Sequence, residues 1–217
     1  MILKENNVPS LNGLVLAGGE SKRMGTDKGL MNWHGKEQRY YLADMLQEFC
    51  EEVFISCRQE QVNGFDSAYR TLPDTFLDLG PYGGILSAMH SQRDKAWLVV
   101  ACDLPLLDKE TIRFLIIHRE SKKVATTYES PHDGFPEPLI TIWEPESYTV
   151  LLDFLGKGTT GLRNVLMNSE KTVVQSARPE TLMNVNTPED VGKARAILGT
   201  ENVAKQGLKE IRTKEST

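Results

Sequence analysis

Short apolar runs alternate with stretches of helical spacing along most of the chain. Leu11–Ala17, Val53–Cys57, Ala96–Ala101, Lys123–Thr127, Leu139–Trp143, Thr172–Gln175 and Leu182–Val185 have the length and texture of strands. Between several of them apolar residues recur at helical steps: Tyr41, Leu42, Met45, Leu46 and Phe49; Ile112, Leu115 and Ile116 behind the candidate cap Asp108; and Val191, Ala194 and Leu198 behind Pro188. The run WLVVA is apolar throughout, so both faces of that strand must be covered. Such alternation predicts an α/β fold with a mainly parallel sheet packed under helices, and ligands in such folds belong at the carboxyl ends of the strands. Proline and glycine between Ser130 and Pro138 predict a long, lid-like loop. The pattern weakens near Thr200, which predicts one domain over 1–199 and a charged tail or short helix over 200–217.

Composition narrows the class. The chain has 217 residues, 40% of them hydrophobic and 25% charged, enough for one substantial core. No apolar run approaches the roughly 20 residues of a membrane span. The opening MILKENNVPS lacks the apolar core of a secretory signal, and Cys50, Cys57 and Cys102 form no CxxC or Cys/His ligand pattern. These features predict a cytoplasmic protein with no membrane partner and no structural zinc. A net charge of −5 argues against general nucleic-acid binding, which depends on neutralising phosphates with a basic surface.

Local chemistry concentrates where strands end. LVLAGGESKRMGTDKG, Leu14 to Gly29, passes from an apolar run to adjacent glycines and then to Lys22, Arg23 and Lys28. Glycine lets backbone N–H groups approach an anion closely, so Gly18 and Gly19 suit a phosphate cradle. The spacing is neither GxxxxGK[ST] nor GxGxxG, which excludes the two commonest nucleotide loops. Other runs also end in polar groups: Val53–Ile55 at Ser56, Thr71–Leu72 at Pro73 and Asp74, WLVVAC at Asp103, and LMNV at Asn186. A carboxylate directly after an apolar strand is costly to bury alone, so Asp103 calls for a nearby cation or donors. Mg2+ fits, because it takes one or two carboxylates together with substrate phosphates and water.

LAGGESKRMGTDK resembles the N-terminal signature of the MobA-like nucleotidyltransferases, the molybdenum-cofactor guanylyltransferases. PDTFLDLGPYGGI, VACDLP and NVNTPED are similar to further segments of that family, in the same order along the chain. The resemblance implies a Rossmann-like three-layer α/β sandwich of the nucleotide-diphospho-sugar transferase type. It implies transfer of GMP from GTP to molybdopterin, with Mg2+ as cofactor and other molybdenum-cofactor assembly proteins as partners. Carried over, Leu16, Ala17, Gly18 and Gly19 cradle the triphosphate, Arg23 and Lys28 supply charge, and Asp103 binds Mg2+. Asp74 then lies near the guanine or ribose, Gly83 and Gly84 let a helix begin close to the nucleotide, and Asn184 and Asn186 lie on the pterin side. Ser56 stands where well-studied relatives tend to have asparagine, and a hydroxyl does not reproduce an amide's paired donor and acceptor. GFPEPL is likewise not the usual form of the family's substrate loop. A CTP-using enzyme, one acting on another phosphorylated acceptor, and a non-catalytic nucleotide-binding scaffold remain alternatives. No role is required of His34, His90, His118 or His132, and Cys57 and Cys102 are expected to serve packing.

Overall fold

The computed structural model describes residues 8–18 and 28–200. Its strands are β1 (Leu11–Leu16), β2 (Val53–Cys57), β3 (Arg70–Pro73), β4 (Ala96–Ala101), β5 (Ala125–Glu129), β6 (Pro136–Trp143) and β7 (Lys171–Val174). The helices between them are α1 (Gln38–Leu46), α2 (Pro81–Ser91), α3 (Lys109–Ile117), α4 (Ser147–Gly156) and α5 (Leu162–Met167), and residues 188–200 form a last one, α6. None of the described helices is long and apolar enough to cross a membrane.

All seven strands join one sheet in the order β3-β2-β1-β4-β6-β5-β7. Every neighbouring pair is parallel except the two that involve β6, which runs against both β4 and β5. Strand periodicity divides the core into two halves. Val15, Leu98 and Val100 pack with Leu42, Met45 and Leu46 of α1 and with Ile112 and Leu115 of α3. Leu14, Trp97 and Val99 face the other way, onto Ile85, Leu86 and Met89 of α2, Leu151 of α4 and Val165 and Leu166 of α5. The result is the expected three-layer α/β sandwich. The all-apolar β4 lies between the two halves and is buried along its whole length.

Helix starts follow their sequence signals. Asp108 accepts the Thr111 backbone N–H (2.8 Å) at the head of α3. At α6, Thr187 and Asp190 form a capping box around Pro188: the Asp190 carboxylate accepts the Thr187 N–H (2.9 Å), and the Thr187 hydroxyl accepts the Asp190 N–H (3.2 Å). The tight packing of α2 rests on its paired glycines. A Cβ at Gly83 would lie 2.2 Å from the Phe76 carbonyl oxygen, and one at Gly84 would lie 2.7 Å from Ser56 Oγ. Because the first obstacle is backbone, Gly83→Ala is expected to cost more than about 2 kcal/mol. A fall in the urea midpoint with an unchanged slope would show it.

Three expectations need correction. Leu182–Val185 is not a strand: Pro179–Leu182 is a short 3-10 turn, and the following segment stays outside the sheet. It touches the sheet's edge through the Val185 N–H, which donates to the Asp103 carbonyl (2.8 Å), and through the Asn184 side chain, which donates to Glu137 of β6, while Leu182 and Val185 are drawn into separate apolar clusters. The loop expected over Ser130–Pro138 ends at Phe135, since β6 begins at Pro136. Its prolines do not forbid this, because the pairing there is broken by an irregularity: β5 pairs Thr127 with Thr141 and then Tyr128 with Glu137. Pro138, Leu139 and Ile140 are the extra residues on that edge. The strand placed at Lys123–Thr127 is shifted onward, to Ala125–Glu129.

Candidate active site

The carboxyl ends of β1, β2, β3 and β4 open onto one cavity. Leu16, Ala17 and Gly18 come from β1 and the residues after it, Ser56 from β2, Asp74 from just beyond β3, and Ala101, Cys102 and Asp103 from the end of β4. Lys28, Gly29, Gly80, Pro81 and Leu139 complete its wall among the described residues. α2 starts at this rim, so the positive end of its dipole faces the opening. Gly19 and Arg23 lie outside the described residues, as does the tail expected over 200–217 beyond Thr200.

One end of the cavity is built around Asp103. Lys28 Nζ lies 3.7 Å from Asp103 Oδ2 and donates to Asn186 Oδ1 at 2.5 Å. Asp103 Oδ1 is buried and has no hydrogen-bond partner among the described residues. Burial holds the Asp103 carboxyl above the ordinary aspartate range, and Lys28 pulls it partly back. A buried carboxylate oxygen without a partner fits the one-carboxylate coordination of a phosphate-bound divalent cation. Asn186 is held by the α6 capping box, since its own N–H donates to Asp190 Oδ2 (3.1 Å). Asn184, two residues earlier, donates to Glu137 Oε2 at 3.4 Å.

The other end centres on Asp74. Ser56 Oγ donates to Asp74 Oδ1 (2.8 Å), and the Asp74 N–H donates to the Cys57 carbonyl (2.9 Å). Burial raises the Asp74 carboxyl, while the Ser56 hydroxyl works against that shift. Glycine at position 84 keeps this corner open, because a Cβ there would meet Ser56, Leu16 and Asp74 together. Next to Asp74, the Ser87 hydroxyl accepts the Thr75 N–H (2.8 Å) and donates to the Gly83 carbonyl (2.7 Å), tying the loop to α2. Cys57 and Cys102 are buried beside the cavity, and burial pushes the Cys57 thiol up to about 11, where it stays protonated.

The fold therefore gathers Leu16, Ala17, Gly18, Lys28, Ser56, Asp74 and Asp103 around one space, with Asn186 bonded to Lys28 and Asn184 one step away. The sequence reading gave no site role to Gly29, Gly80, Pro81, Ala101, Cys102 or Leu139, which line the wall, nor to Glu137, two residues before Leu139 on β6. For Glu137 the signal was the acidic residue between two prolines in GFPEPL.

A cleft across the carboxyl ends of its strands is where an open α/β sheet binds its ligand. The fold matches the crystal structure of molybdopterin-guanine dinucleotide biosynthesis protein A from Archaeoglobus fulgidus with a TM-score of 0.73 at 22% identity, covering 87% of this chain and 99% of that one. Residues 13–173 match the MobA-like NTP transferase domain, and the chain belongs to that family. It is 31% identical to a probable molybdenum cofactor guanylyltransferase of Pelotomaculum thermopropionicum, over 85% of this chain and 92% of the relative. It is 36% identical to a molybdenum cofactor biosynthesis bifunctional protein of Synechocystis, over 84% of this chain but only 53% of that longer protein. The chain thus spans about half the length of the bifunctional relative.

Proposed function

We propose that the protein transfers GMP from GTP to the phosphate of molybdopterin, forming the guanine dinucleotide and releasing pyrophosphate. The observation that carries the reading is one cleft with two poles: Lys28, Asp103 and Asn186 at one, Ser56 and Asp74 at the other. The names of its relatives, guanylyltransferases over nearly their whole length, favour the same donor and acceptor.

In this reaction an acceptor phosphate oxygen attacks the α-phosphorus of GTP, and the bond to the β-phosphate oxygen breaks. Pyrophosphate leaves with the electron pair. The acceptor's phosphate monoester is already ionised near neutral pH, its second pKa being about 6, so no protein base has to act. The protein's task is placement and charge neutralisation. Lys28, the amides near Gly18 and Gly19, and Arg23 receive the triphosphate. Ser56 and Asp74 face the nucleoside, with the Ser56 hydroxyl orienting the carboxylate that accepts from sugar or base. Asn184 and Asn186 flank the acceptor. Asp103 is the residue suited to hold Mg2+, which supplies charge neutralisation at the phosphates when bound.

The test is pyrophosphate release with molybdopterin as acceptor, compared across GTP, CTP, ATP and UTP. GTP is expected to be preferred by at least about tenfold in kcat/KM, the discrimination that one or two well-placed polar contacts provide. Preference for CTP would overturn the base assignment. Turnover with sugar phosphates alone would overturn the acceptor, and retention of GTP without any pyrophosphate release would make the chain a binding protein.

A further inference from the structure

Beyond the cavity wall, Glu137 is a buried carboxylate without a firm partner. Only 5% of the residue is exposed. Its backbone is locked: the carbonyl accepts from the Thr127 hydroxyl (2.8 Å) and the Thr141 hydroxyl (2.7 Å), which fixes the irregularity in β6. The carboxylate itself is held loosely, by Asn184 Nδ2 at 3.4 Å and Arg163 Nη2 at 3.9 Å, with a backbone contact from Leu139. Arg163 has a closer commitment elsewhere, to Asp133 at 2.6 Å. Leu139, two residues further along the same strand, lines the cavity, and the negative charge of Asp103 also acts on Glu137. Beside it, Asn184 Oδ1 is buried with no hydrogen-bond partner among the described residues.

Two acceptor atoms thus share one corner, one loosely satisfied and one unsatisfied, and proteins seldom leave such groups so. Another anion does not complete this corner. What completes it is a group rich in N–H or O–H donors. Building on the proposed reaction, we infer that Glu137 and Asn184 form a specificity pair that reads N–H donors on the ring system of the acceptor. The pterin of molybdopterin carries such N–H groups, whereas a bare phosphate monoester has none. Discrimination arises because a phosphorylated acceptor without donors leaves the buried Asn184 oxygen unpaired and the buried carboxylate with its long contacts alone, which is a stronger rejection than a missing apolar contact. Glu137 would thus set which acceptor is used without touching the reacting atoms.

The experiment compares the wild-type chain with Glu137→Gln, using pyrophosphate release from GTP with molybdopterin or phenyl phosphate as acceptor. Glutamine keeps the shape and removes the charge. The molybdopterin KM is expected to rise about 10- to 100-fold, the scale of one charge-assisted hydrogen bond, with the GTP KM unchanged. The preference for molybdopterin over phenyl phosphate should narrow by a similar factor. An unchanged acceptor KM overturns the assignment, and so does an equal loss with both acceptors, which would report general damage. A shift in the Mg2+ activation constant would make Glu137 a metal-site residue and also overturn it. If Glu137→Gln does not fold, Asn184→Leu asks the same question through the KM split. A wild-type chain inert with GTP and molybdopterin sinks the proposed function itself; an active one with an indifferent Glu137→Gln sinks only this inference.

Discussion

Asp103→Asn is expected to lose at least about 1,000-fold in pyrophosphate release while folding as well as the parent, or better. In the proposed reaction the loss in rate follows from the charge that must be neutralised on the phosphates: an amide keeps the shape but would bring no negative charge to hold a divalent cation there. The gain in stability follows from burial. The Asp103 carboxyl is held above its ordinary range chiefly by desolvation, so at neutral pH its ionised form works against the fold. The sign is fixed by linkage. An acid whose folded pKa exceeds its unfolded one stabilises the fold fully below the unfolded pKa and loses that contribution as pH rises through the folded value. Asparagine removes the ionisation and with it the penalty. Thermal unfolding and turnover measured on the same preparation decide the matter: near wild-type turnover removes Asp103 from the site, and a large drop in Tm would make it a structural residue instead.

This opposition between stability and function accounts for much of what was legible in the chain. β4 could be read from WLVVA because an entirely apolar run fits only a strand covered on both sides, and its abrupt end in Asp103 marked the site by the cost of burying that carboxylate. TPED could be read as a helix start because a capping box is local chemistry, and in the fold that same box holds Asn186 in place. What could not be read was non-local. LMNV has a strand's texture, yet the backbone of this segment makes no ladder, and the Val185 N–H bonds the Asp103 carbonyl instead. GFPEPL looked like a loop because prolines remove ladder donors. The Thr127 and Thr141 hydroxyls make up part of that loss by bonding the Glu137 carbonyl, a contact between β5 and β6 that no spacing rule exposes. Glu137 went unremarked for the same reason: its importance lies in how poorly it is paired, which only the fold determines.

Lys28→Ala should fail in two separable ways. Lys28 bridges Asn186 Oδ1 and Asp103 Oδ2, so in the proposed reaction its ammonium has two roles, toward the triphosphate and toward the buried carboxylate. Loss of the first role is expected to raise the GTP KM about tenfold or more and to lower kcat by about 100-fold, because the departing pyrophosphate forfeits a charged contact. Loss of the second leaves Asp103 less compensated, and breaking one half of a mostly buried pair is destabilising by roughly 1–3 kcal/mol at neutral pH. Without Lys28 the Asp103 pKa rises further, so the deficit should shrink as the pH is lowered through that value and the carboxyl takes up a proton. The double variant Lys28→Ala/Asp103→Asn should recover the lost stability and none of the activity, a strong departure from additivity expected only of groups in contact. Denaturant titrations of the four proteins at two pH values measure this coupling. Strict additivity in stability would show that the 3.7 Å pair is electrostatically idle, leaving Lys28 a role toward the nucleotide alone.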